Sequence, residues 1–494
     1  MRTMQRRALL RCLVSAAALA LPLGVASAQA ADADSASARP NVVFILIDDM
    51  GWADIGCYGS RFYETPHVDR LALQGMRFTD GYAACPVCSP TRLSIMTGKY
   101  PARVRLTNFI AGQRWPDNSP LQPFTDWKTE MPPEEVTIAE ALRPAGYASA
   151  CIGKWHLEPR SSAKGKARKG EKQEPDPSMS PSAQGFEFVV SRAPNQTDKS
   201  VAAYTDKAIE FIHQNQQRPF FLYLSHNSVH IPLEANPELI EKYTKKVRPD
   251  DPQNNPTYAG MVESVDQCVG RIMATLDELG LAEKTIVVFF SDNGGLSVKE
   301  GANTPATSNL PLRAGKGYLY EGGVREPLIV RWPGVVKPGA TCNTPVSSVD
   351  FYPTFLEIAG VSPQPGQVID GVSIVPLLTQ TGELKRDAIF WHYPHYSNQG
   401  GVPSGAIRMG DYKLIEFYED DHVELYDLRD DAGEHKDLAA AMPDKAAAMR
   451  ERLHAWRESV AAQMPAKNPN HDPSKPWYSN PKQAPQAWQS GSRL

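Results

Sequence analysis

Asp48-Asp49 follows directly on the apolar run "NVVFILI" (41–47), and Ser291-Asp292-Asn293-Gly294-Gly295 follows on "TIVVFF" (285–290). Four oxygen-bearing side chains at two such ends make a hard-cation site for Ca2+ or Mg2+, and the lack of adjacent His or Cys disfavours zinc. Either dipeptide alone reads as an ordinary turn. Basic groups stand in similar positions. "CIGKWHLE" (151–158) puts Lys154 and His156 on one side if extended. "SHNSVHIP" brings His226 and His230 right after "PFFLYLS" (219–225), and "LRAGKGYLYEGGVREP" (312–327) sets Lys316 among glycines, where an ammonium and backbone amides approach an anion closely. Each of these has a structural alternative, a strand-end His or Lys or a plain Gly-rich turn. Three carboxylates around one divalent ion stay net negative, so an anionic substrate needs further cations, which Lys154, Lys316, Arg92 and the histidines supply.

"CPVCSPTRLSIMTG" (85–98) carries Cys85 and Cys88 three apart, a spacing that suggests a metal clip, a redox pair or a disulfide. No second Cys-x-x-Cys or His pair accompanies it, as a structural zinc site requires. Residues 1–30 have an Arg-rich start, an apolar run from Leu13 to Val25 and small-residue cleavage sites, the pattern of a secretory signal peptide. Arg6-Arg7 before Ala8-Leu9-Leu10 fits a loose twin-arginine pattern, so Tat and Sec export both stay open. The expected location is therefore periplasmic or secreted. Past residue 30 six cysteines remain, Cys57, Cys85, Cys88, Cys151, Cys268 and Cys342, an even set compatible with three disulfides in an exported protein. Four of the 52 Lys and Arg lie in residues 1–30, leaving 48 against 56 Asp and Glu, a balance of −8 that argues against nucleic acid as a partner. No later stretch reaches the roughly 18 apolar residues of a membrane span.

The elements that must hold these residues alternate. "NVVFILI", "PFFLYLS" and "TIVVFF" are unbroken apolar runs of strand length, as in a mostly parallel sheet buried on both faces. A helix is expected over 258–279, where Met261, Val262, Val265, Val269, Ile272, Leu276 and Leu279 recur at helical spacing before Gly280. The fold class is α/β, a mostly parallel sheet sandwiched by helices, and ligands gather at the carboxyl ends of its strands. From about 384 the pattern changes to short strands, "AIFWHY", "AIRMGDYKLIEFY" and "VELYDL", then a helix near 443–462. This gives a signal peptide over 1–30, an α/β domain over 31–383, and a C-terminal antiparallel subdomain with its tail over 384–494. Residues 160–184 are rich in Lys, Pro, Ser and Gly and read as a loop. The run reads as a plain solvated insertion or, because it follows Lys154 and His156 directly, as cations Lys164, Lys166, Arg168, Lys169 and Lys172 that gather polyanionic chains at the pocket mouth.

"CSPTRLSIMTGKYP" resembles the Cys-x-Pro-x-Arg plus Thr-Gly signature of the type I sulfatases. "LIDDMGWADIGCYG", "GKWHLE", "SHNSVHIP", "FFSDNGG", "GKGYLYEGGVREP", "SSVDFYPT", "IDGVSIVPLL" and "GDYKLIEFYEDDHVELYDLRDD" follow that family's order over residues 40 to about 463. Thr91 stands where Ser is more usual, and Glu158 where Gly is common. The resemblance implies an alkaline phosphatase-like sheet and a Cys88 converted by a maturation enzyme to formylglycine, whose hydrate attacks sulfur and later expels sulfate by re-forming the aldehyde. It implies that Asp48, Asp49, Asp292 and Asn293 hold Ca2+ with the modified Cys88. It further implies that Arg92 and Lys154 stabilise the hydrate beside His156, and that His230 and Lys316 bind sulfate and assist the leaving oxygen. His226 is structural or part of the rim. The C-terminal blocks look like those of bacterial polysaccharide sulfatases, which favours a galactose or N-acetylgalactosamine sulfate over a small aryl sulfate. Two other readings are a phosphate or phosphonate monoesterase of the same superfamily and a carbohydrate-binding protein with an inactive site.

Overall fold

The computed structural model describes residues 39–110, 112, 115–124, 126–159, 179–195 and 197–475. The expected signal peptide (1–30) and the Lys-rich run (160–172) lie outside them. Nine strands form the main sheet: β1 (Asn41–Ile47), β2 (Met76–Tyr82), β3 (Ala148–Gly153), β4 (Phe188–Val190), β5 (Phe220–Ser225), β6 (Thr285–Ser291), β7 (Arg325–Arg331), β8 (Ala340–Cys342) and β9 (Val346–Ser347). Their order is β9-β2-β7-β6-β1-β5-β3-β4, with β8 also on β2. The strands from β6 to β4 are parallel, and β7 runs against both of its neighbours.

The unbroken apolar run of β1 is explained by burial on both faces. Val43, Ile45 and Ile47 pack into one helical layer with Val262, Val265 and Val269 of the helix Pro256–Glu278, whereas Val42, Phe44 and Leu46 pack into the other with Leu93, Phe351 and Phe355. Each such side chain contributes about 1.5–3 kcal/mol on burial, which locks the central strands in place. α2 spans Pro256–Glu278; it follows α1 (Cys88–Thr97) in the chain and precedes α3 (Phe351–Ala359). It starts where the Asn255 side chain accepts from the N–H groups of Thr257 and Tyr258, with Pro256 first in the helix.

The C-terminal segment forms a separate antiparallel sheet of β10 (Ile389–Tyr393), β11 (Ser404–Met409), β12 (Tyr412–Phe417) and β13 (Val423–Asp427), backed by α4 (Pro443–Ser459). Alternation sorts its side chains. Trp391, Ala406, Ile415 and Tyr426 meet Tyr82 of β2 and Tyr318 and Tyr320 of the loop before β7, while Phe390, Ile407, Leu414 and Leu425 meet Met449, Leu453 and Trp456 of α4. A buried ionic network lies at this seam: Lys413 on β12 reaches Glu321 and Glu434, and Asp80 takes Arg325 and Arg408. The small sheet is thereby tied to the loop 312–324, which carries Lys316.

Candidate functional site

Register delivers the site. Ile47 pairs with Ser291, Leu46 with Ser225 and Gly153 with Ser225, so β1, β6, β5 and β3 end along one edge, and Asp48, Asp292, His226 and Lys154 are the next residues out. Asp49 (φ 65°) and His156 (φ 58°) sit in the left-handed region, a strained setting for non-glycine residues. Before Lys154 only glycine fits: Gly153 has φ +98° and an added Cβ would lie 1.9 Å from the Ser225 carbonyl oxygen.

Cys88 opens α1 and is 3% exposed. Its Sγ lies 3.3 Å from His156 Nδ1, while His156 Nε2 donates to the Ile110 carbonyl at 2.6 Å. That bond fixes the proton on Nε2 and turns the free lone pair of Nδ1 toward Cys88. Burial, then the charges of Lys154 and Arg92, keeps this imidazole well below its ordinary pKa, so it is neutral. One turn on, Arg92 is fully buried. It donates to Asp292 Oδ2 from Nε (2.9 Å) and Nη2 (2.6 Å), and from Nη1 to the Lys154 carbonyl (2.7 Å) and Ser225 Oγ (2.5 Å). Lys154 Nζ donates to Asp48 Oδ2 at 2.6 Å and Lys316 Nζ to Asp49 Oδ2 at 2.7 Å. Burial opposes both ammonium charges, but the paired aspartates outweigh it and hold both lysines above their usual pKa.

The residue set suits a hard cation. Asp48, Cys88 and Asp292 bring ligand atoms within 4.8 Å of one another, and Asp48, Asp49 and His230 do the same. Asp48 Oδ1 and Asn293 Oδ1 are buried oxygens without a hydrogen-bond partner, although such atoms are normally satisfied. Asn293 Nδ2 donates to Asp49 Oδ1 at 2.8 Å, and the Asp49 N–H donates to Asp292 Oδ1 at 3.2 Å. Burial alone would raise the Asp48 carboxyl, yet Lys154, His230, Arg92 and Lys316 hold it far below the carboxylate range. Burial pushes Asp292 up to about 8, against the pull of Arg92 and with the help of Asp48. Buried carboxylates crowded this closely are what a divalent ion neutralises.

Cys88, Lys154, His156, His230 and Lys316 line one cleft of 490 Å3, a size suited to a small ligand. His230 Nε2 is 3.6 Å from Asp49 Oδ2, and burial lowers its pKa to about 4 while Asp49 opposes. The aspartates and Asn293 lie buried and do not line the cleft, and neither does Arg92. His226 stands apart, fully buried with Nε2 3.2 Å from Cys268 Sγ. The disulfide alternative is corrected, since the six cysteines among the described residues are all free; Cys85 and Cys88 occupy one loop and helix start without bonding. The Thr91 hydroxyl donates to the Cys85 carbonyl at 3.0 Å, and Glu158 is on the cleft wall. Sequence reasoning missed Ser225, Arg192, Glu300, Asn398 and Gln399. The last four are wall residues from three loops, Arg192, Glu300 and the adjacent pair Asn398 and Gln399, and nothing in their local sequence marks them.

Residues 40–361 match the family model described as Sulfatase, and residues 314–459 match that of the N-sulphoglucosamine sulphohydrolase C-terminal region. The chain is 32% identical to a sulfatase of Formosa agariphila, covering 83% of this chain and 86% of that one. It is 31% identical to the N-acetylgalactosamine-6-sulfatase of Canis lupus familiaris, over 76% of this chain and 71% of its relative. Among solved structures, Ps i-CgsB in complex with k-i-k-neocarrahexaose superposes with a TM-score of 0.70 at 27% identity, over 88% of this chain and 96% of the other.

Proposed function

The chain belongs to the sulfatase family and is a sulfuric ester hydrolase, and from this premise we propose that it removes sulfate from a galactose- or N-acetylgalactosamine-type carbohydrate outside the cytoplasm. The observation carrying this reading is the meeting of Cys88, its neutral histidine, two lysines and the oxygen-rich cluster at one cleft. A relative named for an N-acetylgalactosamine sulfate and a structural neighbour holding a neocarrahexaose support a sugar substrate. The signal-like residues 1–30 support export, and among the described residues no helix is long and apolar enough to cross a membrane.

We assign Ca2+ to Asp48, Asp49, Asp292, Asn293 and the modified residue 88; when bound, a divalent cation supplies Lewis-acid polarisation and neutralises charge on sulfate oxygens. Cys88, converted to formylglycine by a maturation enzyme, supplies the attacking oxygen. His156 Nδ1 is the base aimed at that residue, its tautomer set by the Ile110 carbonyl. Arg92 orients Asp292, the Lys154 backbone and Ser225 by a four-bond clamp, and Lys154 and Lys316 present ammonium groups to the anion. A sulfate ester in the cleft adds negative charge beside His230 and favours its protonated form, which then donates to the leaving oxygen. The net reaction consumes water and yields an alcohol and sulfate.

The test is the mass of the tryptic peptide 78–92, read together with sulfate release from galactose and N-acetylgalactosamine sulfates. Conversion lowers the peptide mass by about 18 Da, the exchange of thiol for aldehyde. An unmodified peptide in a protein that still releases sulfate would overturn the assignment of Cys88. Phosphate or phosphonate ester hydrolysis in place of sulfate release would overturn the substrate.

A further inference from the structure

The cleft is built for an anion, yet one of its wall residues is a carboxylate that no described Lys, Arg or His pairs with. Glu300 lies on the loop after β6 and is held from the C-terminal subdomain: Asn398 Nδ2 donates to Oε1, and Gln399 Nε2 donates to Oε2 at 2.6 Å. The Glu300 N–H donates to Thr304 Oγ1 at 2.7 Å, which fixes the backbone. The clamp is itself set in place. Gln399 is 5% exposed, its Oε1 accepts from Ser397 Oγ, and its carbonyl accepts from Tyr318 OH at 2.8 Å. With Oε1 so engaged, the Gln399 amide presents its N–H to Glu300.

We propose that Glu300 is the specificity residue that reads the hydroxyls of the sugar bearing the sulfate; this rests on the carbohydrate reading above. A carboxylate offers about four acceptor sites, so two amide bonds leave about two for the cleft. A fixed anion cannot serve the sulfate group, which Lys154, Lys316 and His230 face. It suits donors, namely free hydroxyls or an acetamido N–H on the ring, and charge-assisted bonds to them are the stronger kind. The same charge repels a second sulfate on that side of the ring, so the preferred substrate carries neutral groups next to its ester. Specificity thus comes from a repulsive element as well as an attractive one.

The bland role for Glu300 is to tie the loop after β6 to residues 397–401, and this role predicts equal losses on every substrate. The experiment compares wild type, Glu300→Gln and Glu300→Asp on three probes: a galactose monosulfate, a galactose disulfate with adjacent esters, and 4-nitrophenyl sulfate. Glu300→Gln is expected to lower kcat/KM for the monosulfate about tenfold more than for the aryl ester, chiefly through KM, and to narrow the preference over the disulfate by about tenfold. Glu300→Asp, with the charge one methylene short, gives an intermediate ratio and serves if the Gln variant does not fold. Unchanged ratios, in a wild type that does desulfate sugars, overturn the assignment of Glu300 alone. A wild type that cleaves 4-nitrophenyl sulfate and no sugar sulfate overturns the carbohydrate reading, and Glu300 with it.

Discussion

Lys413→Met probes the seam that sets the Gly-rich loop against the small sheet. Lys413 Nζ is 2.8 Å from Glu321 Oε1 and 3.0 Å from Glu434 Oε1, and all three side chains are 0% exposed. Burial would raise Glu321, but Lys413, Arg325 and Arg408 hold its carboxyl at about 2; burial lifts Glu434 from its ordinary 4.5 to about 7 against the pull of Lys413. Without the ammonium, Glu321 keeps Arg325 at 3.0 Å, whereas Glu434 keeps only the Glu321 N–H at 2.7 Å. Removing one partner of a buried pair costs about 3–5 kcal/mol, and that is the expected loss at pH 8. The raised Glu434 carboxyl favours the protonated native state. This contribution is fully present below 4.5 and lost as pH rises through about 7. In Lys413→Met the Glu434 pKa climbs further, so the variant's deficit shrinks at pH 5.5. The double variant Lys413→Met/Glu434→Gln regains about 2 kcal/mol at pH 8, since an amide leaves no buried charge. Urea unfolding followed by circular dichroism at pH 5.5 and 8 reads these differences. A loss under about 1 kcal/mol at pH 8, or equal losses at both pH values, would refute the reasoning.

Three further outcomes are expected. Cys88→Ala abolishes sulfate release while the melting temperature stays within a few degrees of wild type, and substantial turnover in the folded variant would sink the covalent role. Asp48→Asn and Asp292→Asn each lower bound divalent metal, measured by mass spectrometry of the dialysed protein, together with sulfate release; unchanged metal content in both would show the site misplaced. Gly153→Ala places a Cβ 1.9 Å from the Ser225 carbonyl at φ +98°, so soluble yield should fall sharply and stability by about 3 kcal/mol or more, whereas a wild-type melting curve would contradict the close approach of β3 and β5.

Much of the architecture was legible because central strands have no solvent face. The runs at 41–47, 219–225 and 285–290 therefore carry no polar alternation, and they became β1, β5 and β6 within a residue or so. The helical spacing from Met261 to Leu276 likewise emerged as the buried stripe of α2, all six spaced residues being fully buried. The strand-end pairs Asp48-Asp49 and Asp292-Asn293 were visible for the same reason, since a carboxylate after a buried strand has little to do but turn the chain or bind something.

What the amino-acid order determined by itself was thus the elements, their alternation and the residue types at the strand ends. These depend on local burial and spacing. Only the tertiary structure decided that Asp48 and Asp292 are neighbours, because that is a matter of Ile47 standing opposite Ser291 in the sheet. It also decided that Lys154 pairs with Asp48 and Lys316 with Asp49, that the six described cysteines are free, and that His156 turns Nδ1 toward Cys88. Glu300 meets Asn398 and Gln399 across nearly a hundred residues and between two sheets. No periodicity records such a meeting, because its cause is the packing of the small sheet's loops against those of the main sheet.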